Sequence, residues 1–482
     1  MSLAQKGLSG FIYTFSSSVL NKIIAFVGGI FIARILYPED FGLVGMLYII
    51  FEVSNFMISG GFGLALIREK KISEADKATV FYFNIIVSTV IYVLLWFGAP
   101  LIASFYERQE LIILTRIMGL NLLFGSLLIV QTSILQRELK FKFLGILEII
   151  SGLIVTLIAV ILAYKGFGVY ALAIKFILGS LISSITLFAF NPWRPKGFIN
   201  KKSFKRLFAF SSNVMLLGLM NSIFRNLNQV IIGKYFSAVA VGFFNQGNML
   251  KNNVTATLNQ TIIKVTFPML SQLQEDKERL KGAYMRIVRI NSFTILPAVT
   301  ILILTAEPLI ISLLGEKWRG SIIFLQILGI SGYVSHLHGI NLNVLKVYGK
   351  GRDYLYQGFF RNGITALGIL ITVNISVVAM AWAYAIGEFL QLFINVYYSN
   401  KYIKFSFSEQ LKIMLPLILI TAVMGVSVYM VGLYNYDWNP LKLIIMPISG
   451  ILIYLSLCVF FKIEAFLDFK SLISSKIFNK PK

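Results

Sequence analysis

Residues 79–104 read TVFYFNIIVSTVIYVLLWFGAPLIAS. The run holds no Asp, Glu, Lys or Arg, and as a helix rising ~1.5 Å per residue it is long enough to cross a hydrocarbon core of ~30 Å. Comparable runs recur along all 482 residues, broken only by short polar segments. The chain is 57% hydrophobic and 13% charged, with a mean hydropathy of +0.79. Soluble domains average about 45–50% apolar and about 25% charged residues. The solvent for most of this protein is therefore lipid, where helices satisfy their own backbone groups.

Marking the apolar runs predicts fourteen helices, near 11–33, 41–63, 79–104, 111–134, 144–164, 169–190, 207–233, 241–266, 287–312, 321–345, 355–375, 377–398, 411–433 and 441–461. The fold class is an all-α integral membrane protein. Positive charge tests the count, because short cytoplasmic loops collect Lys and Arg. With the N-terminus inside, the cytoplasmic segments hold 30 Lys and Arg and the outer loops only 7, namely Arg34, Arg108, Lys165, Lys234, Lys317, Arg319 and Lys442. An error of one span would scramble this contrast, so both termini are expected inside. Trp318, Trp382 and Trp438 fall near outer ends, as interfacial anchors would.

The net charge of +23 is spread in small groups between apolar runs. A nucleic-acid surface would gather it on one face, so no nucleic-acid partner is expected, and membrane lipids are the natural neighbours. Cys458 is the only cysteine, which excludes an internal disulfide and a cysteine metal cluster. The first apolar run is too long and mixed for a cleaved signal and reads as a retained span.

The chain resembles itself weakly at an offset near 200 residues. Phe15-Ser16-Ser17-Ser18 echoes Phe210-Ser211-Ser212-Asn213, and Arg34 to Gly42 echoes Lys234 to Gly242. Six spans separate the copies, so they would run in the same direction about an axis along the membrane normal. The expected organisation is a six-helix lobe over 1–200, a second over 201–400, and two extra helices with a basic tail over 401–482.

Ionisable residues deep in spans are costly enough to suggest function, although near helix ends they can snorkel outward. Lys22, Glu52, Lys251 and Glu388 fall near the middle of their spans, and Arg225 lies in the outer half of its own. Glu148, Lys264 and Arg361 lie nearer the inner face, Arg116 and Lys175 nearer the outer. If the central residues face a shared cavity, Lys22, Arg225 and Lys251, with Lys264 and Arg361 toward its mouth, favour an anion such as a pyrophosphate. Glu52 and Glu388 are candidates for ion coupling. The competing reading is structural ion pairs between helices. Polar neighbours (Ser17, Asn21, Asn55, Asn221, Asn228, Asn245, Gln246 and Asn248) suit sugar hydroxyls or helix–helix bonds equally.

Nothing points to catalysis. His336 and His338, two apart on a helix, point to different faces and are not expected to share a metal. No phosphate-binding glycine loop and no extramembrane acidic pair is present. Neither a catalytic residue nor a cofactor is expected.

Four stretches, FIARILYPEDFGLVG (31–45), ILQRELKFK (134–142), FPMLSQLQEDKERLKGAYMRIVR (267–289) and AEPLIISLLGEKW (306–318), resemble signatures of the polysaccharide transporter family. That family lies within the multidrug, oligosaccharidyl-lipid and polysaccharide (MOP) exporter superfamily, and the likeness is to its colanic-acid-exporter-like flippases. The resemblance implies two six-helix lobes around a cationic cavity, alternating access, and export of an undecaprenyl-pyrophosphate-linked oligosaccharide across a bacterial inner membrane. It also implies a polysaccharide polymerase and a chain-length regulator as partners. The loop signatures themselves read as structural. A peptidoglycan-precursor flippase and a cation-coupled multidrug exporter are rivals within the superfamily. The excess of buried Lys and Arg speaks against the exporter of cationic drugs. A membrane-embedded polymerase or glycosyltransferase would need a large outer loop that the chain lacks.

Overall fold

The structure, a computed structural model, describes the backbone of residues 3–272, 276–434 and 439–470. Side chains are described for these residues except 3–16, 213, 217, 256–269, 271–272 and 439. Trp438 and the side chain of Lys264 thus lie outside the described residues. The chain forms two compact units, Met1–Gly242 and Phe243–Lys482.

The first unit contains α1 (Leu3–Ile35), α2 (Pro38–Ser59), α3 (Phe62–Arg68), α4 (Glu74–Tyr106), α5 (Glu110–Arg137), α6 (Phe141–Tyr164), α7 (Val169–Phe190) and α8 (Lys201–Tyr235). Their boundaries follow local chemistry. Pro38 opens α2, and the Tyr37 backbone N–H donates to Asp40 Oδ2 at 2.9 Å. Ser73 and Asp76 cap α4 reciprocally, at 3.2 and 2.9 Å. Gly60 and Gly61, both at positive φ, separate α2 from α3. Arg137, from the 134–142 signature, donates to the Leu66 and Lys70 carbonyls at 3.0 and 2.6 Å and so caps the C-terminal end of α3. Helix α1 packs on α6, α4 on α5, α5 on α7, and α8 on α2, α3 and α4.

The division between the units falls inside α9 (Ala238–Gln272). The second unit continues with α10 (Lys277–Leu304), α11 (Ala306–Leu314), a 3-10 turn (Glu316–Trp318), α12 (Ser321–Val347), α13 (Gly351–Thr372), α14 (Val377–Ile403), α15 (Phe407–Leu433) and α16 (Asn439–Phe460). Its core gathers Tyr284, Phe293, Leu337, Met424 and Cys458, and the Tyr454 hydroxyl donates to the Phe293 carbonyl at 2.9 Å. Trp318 is wholly buried with its ring against Phe243, so it is a core residue and not an interfacial anchor.

Each of the fourteen predicted spans is helical over most of its length, the second broken at Gly60–Gly61 and the ninth at Thr305. Twelve helices among the described residues are long and apolar enough to cross a membrane, and α9 and α13 are not among them. Both are long enough but too polar: α9 carries Asn245, Gln246, Asn248 and Lys251, and α13 carries Arg352, Gln357, Arg361 and Asn362. On apolar length alone twelve helices among the described residues qualify, against the fourteen expected from the sequence. Elsewhere the lipid-type surface is plain, as along α4, where Leu94, Phe97 and Leu101 are exposed.

The two segments that match at the 200-residue offset cross each other within the first unit. A Cβ on Gly42 would lie 1.7 Å from the Ala238 carbonyl oxygen, and one on Gly242 would lie 2.0 Å from that of Pro38. Pro38 and Ala238 are themselves equivalent at that offset, so each glycine packs on the backbone that opens the other helix. Such a crossing tolerates no side chain. Gly42→Val is expected to cost about 2 kcal/mol or more through overpacking, read as a lower melting temperature in detergent. Gly98→Ala in α4, where nothing lies within 4 Å, should be neutral or slightly stabilising. Equal melting temperatures for the two variants would contradict the close crossing.

Candidate functional site

Each unit holds a carboxylate inside its helices, clasped by donors from neighbouring helices. In the first unit Glu52 of α2 faces α8. Its Oε1 lies 3.2 Å from Arg225 Nη1. Its other oxygen accepts a short bond from Asn226 Nδ2, which also donates to the Ser222 carbonyl at 2.9 Å. The Arg225 side chain is 64% exposed and that of Glu52 29%. The pair is therefore loosely held, and Asn226 is the buried, fixed member. Lys22 of α1 is exposed, and its neighbour Asn21 donates to Glu148 at 3.1 Å. Arg116, near the N-terminal end of α5, donates to the Trp96 carbonyl at 3.2 Å and lies over that ring.

In the second unit Glu388 of α14 is the centre of a denser cluster. His338 Nε2, from α12, lies 3.1 Å from Glu388 Oε2, a close contact and not a well-aligned hydrogen bond. Tyr384, one turn earlier on α14, lies beside the same carboxylate. Lys251 of α9 and Arg361 of α13 stand within electrostatic reach of it. Lys251 is only 4% exposed, with its ammonium 5.2 Å from the Tyr384 ring centroid. The ammonium of a buried lysine gains from an aromatic face and from a nearby carboxylate, and both are present.

The orientation of His338 is set from behind. The Gln357 amide of α13 donates a short bond to Asn395 Oδ1 of α14, and Asn395 Nδ2 meets His338 Nδ1 at 2.6 Å. With its oxygen already accepting, the Asn395 amide donates to Nδ1, which leaves the imidazole proton on Nε2, toward Glu388. One turn further along the α12–α14 seam, Ser399 Oγ donates to Asn341 Oδ1 at 2.6 Å and Gln410 Nε2 to the same atom at 3.1 Å. Each of these seam amides and Ser399 is almost fully buried. His336 points elsewhere and meets Ser292 of α10 at 2.9 Å. An apolar cavity of about 390 Å³ opens on another flank of the same helices, beside Leu337, Leu392 and Phe393, and holds none of these charges. Among the described residues no group of three metal-ligating side chains is present.

The structure thus pairs Glu52 with Arg225 within the first unit and draws Lys251, Arg361 and Glu388 together within the second. The chain matches the model of a family described as polysaccharide biosynthesis protein over residues 31–323, more than half its length. The chain belongs to this family. It is 25% identical over 412 residues to the teichuronic acid biosynthesis protein TuaB of Bacillus subtilis, covering 84% of this chain and 85% of that one. It is 25% identical over 351 residues to the succinoglycan biosynthesis transport protein ExoT of Rhizobium meliloti, covering 71% and 70%. Its fold is that of the lipid II flippase MurJ in an inward closed conformation, with a TM-score of 0.75 at 15% identity over 94% of this chain and 99% of that one. This member of the polysaccharide biosynthesis family is a multi-pass membrane protein.

In this family member, the sequence reading missed His338, Asn226, Asn395 and Gln357. A lone histidine or amide on an apolar helix carries no mark of its partner, and only the pairing of α12 with α14, and of α2 with α8, exposes their roles. Asn395→Leu would strand Gln357 Nε2 and His338 Nδ1 in the interior. It is expected to cost about 1–3 kcal/mol per unpaired group, read as a drop in melting temperature. Arg225→Gln, at an exposed pair, should cost under about 1 kcal/mol. A larger loss for Arg225→Gln than for Asn395→Leu would reverse this ordering of rigid and loose contacts.

Proposed function

We propose that the chain carries an undecaprenyl-pyrophosphate-linked oligosaccharide across the bacterial cytoplasmic membrane for surface polysaccharide assembly, by alternating access and with both termini in the cytoplasm. The observation that carries this reading is the placement of Lys251 and Arg361 around one exchangeable carboxylate deep in α14. A phosphate oxygen can take the place of that carboxylate on both cations, with charge-assisted bonds strengthened by the low-dielectric surroundings. Arg225 on Glu52 offers the same exchange in the first unit, at a more open position, and Lys22 is an exposed cation free of burial constraints. Lys264 belongs to the same proposed cationic set by sequence. Glu52 and Glu388 are the groups proposed to couple transport to an ion. The names of TuaB and ExoT, both tied to surface polysaccharides, support the substrate class. A polysaccharide polymerase and a chain-length regulator are the proposed partners.

The second reading is a peptidoglycan-precursor flippase, which the likeness in fold to MurJ favours. Depleting the chain separates them, since loss of surface polysaccharide with intact walls supports the first reading and lysis the second. In a strain that depends on this gene, Lys251→Gln, Arg361→Gln, Arg225→Gln and Lys22→Gln, each at normal protein level, should cut surface polysaccharide by about tenfold or more, the scale of one lost charge-assisted bond. Wild-type polysaccharide in all four variants would remove the cationic site from the mechanism.

A further inference from the structure

A second recess in the second unit, of about 380 Å³, shares no residue with the Glu388 cluster. It is lined by Arg289 of α10, Lys412 and Pro416 of α15, and Lys462 and Glu464 from the segment that follows α16. Its arginine is already engaged. Arg289 Nη1 lies 2.6 Å from Glu464 Oε2 and 3.1 Å from Asp468 Oδ2, and Asp468 also meets Arg286 Nε at 3.1 Å. Two arginines and two carboxylates thus cancel. Lys412 and Lys462 are left over, both exposed, and neither side chain makes a hydrogen bond, ion pair or ring contact with a described residue.

We propose that this recess binds the headgroup of an anionic glycerophospholipid of the phosphatidylglycerol kind, with its phosphodiester on Lys412 and Lys462. The inference adds a lipid site distinct from the cargo and holds whichever cargo the chain carries.

Charge is the first argument. Two ammonium groups from different elements line one recess with no carboxylate left to neutralise them, and a phosphodiester placed there takes a charge-assisted bond from each. Basic recesses between spans are where anionic headgroups are held. Backbone chemistry is the second. Pro416 lies inside α15 and has no N–H, so the Lys412 carbonyl lacks its usual helical donor. A glycerol headgroup carries hydroxyls that can donate to it, and a bare phosphodiester does not. The third argument selects a lipid over a soluble anion. Ile413, Leu417 and Ile463 give the recess apolar walls, and Leu415 and Leu419 of α15 are exposed, as are Phe460 and Phe461 at the end of α16. A soluble phosphate would use the lysines and leave this surface bare. A phospholipid uses both, and it would tie α15 to the segment beyond α16.

The test titrates the purified full-length chain in detergent with dioleoylphosphatidylglycerol or dioleoylphosphatidylcholine. Bound lipid is read by native mass spectrometry and the melting temperature is followed in parallel. Phosphatidylglycerol should bind about tenfold or more tighter than phosphatidylcholine, the scale of one charge-assisted bond, and should raise the melting temperature further. Lys412→Gln combined with Lys462→Gln should bring the two lipids level. Lys462 sits at φ +48°, where glycine is at ease. Lys462→Gly should therefore weaken phosphatidylglycerol binding while melting no lower than wild type in phosphatidylcholine, which separates loss of charge from loss of fold. Lys70→Gln combined with Lys71→Gln removes the same charge from exposed positions between α3 and α4, and should leave the preference intact. Equal affinity of the wild type for the two lipids would overturn the proposal. So would a preference that survives the Lys412 and Lys462 double variant, or one lost as fully in the Lys70 and Lys71 double variant. Displacement of phosphatidylglycerol by an equal concentration of glycerol 3-phosphate would also overturn it, because the recess would then belong to a soluble anion.

Discussion

An ion inside a lipid-embedded helix bundle has no water to dissolve it, and several kcal/mol per charge is at stake unless a counter-charge or a set of donors stands beside it. Every feature of the candidate site follows from that constraint. Lys251 is kept by the Tyr384 ring and the field of Glu388, and Glu388 is kept by His338, Tyr384, Lys251 and Arg361. Glu52 is kept by Arg225 and Asn226. None of these charges strengthens the fold as a well-packed leucine would, since a buried pair roughly breaks even with its apolar replacement. On the proposed function their value lies in being exchangeable, because a carboxylate that satisfies two cations is also a placeholder for another anion.

The same constraint explains why α9 and α13 look least like membrane spans. A helix that faces lipid all round can carry no such groups, whereas one that lines a polar site must. Lys251 and Arg361 sit on these two helices, and the amides of Gln357 and Asn395 that orient His338 sit on α13 and α14. The helices that fall short on hydropathy are thus the ones that bring the charges of the second unit together. In the first unit the corresponding clasp is simpler and more open, one arginine and one asparagine from α8 on one glutamate of α2.

The loop signatures have a different physics. Pro38 and Asp40 start α2, Arg137 ties off α3, and Gly42 and Gly242 let two chain segments cross at backbone contact. These residues shape the ends of helices and fix where they cross, and they touch none of the buried charges.

The sequence by itself determined the class, because apolar length, charge alternation between loops and the scarcity of cysteine are one-dimensional properties that lipid reads directly. It also located Lys22, Glu52, Arg225, Lys251, Arg361 and Glu388, since a charge in an apolar run stands out without any partner in view. Tertiary structure alone decided which of them meet. Glu52 and Arg225 are 173 positions apart, and the approach of α8 to α2 joins them; Lys251, His338, Arg361 and Glu388 come from four helices. Pairing depends on helix rotation and crossing, which small packing differences set and composition does not encode. For that reason His338 and Asn226, unremarkable in the sequence, hold central places in the folded protein, and Trp318, expected at the interface, is in the core.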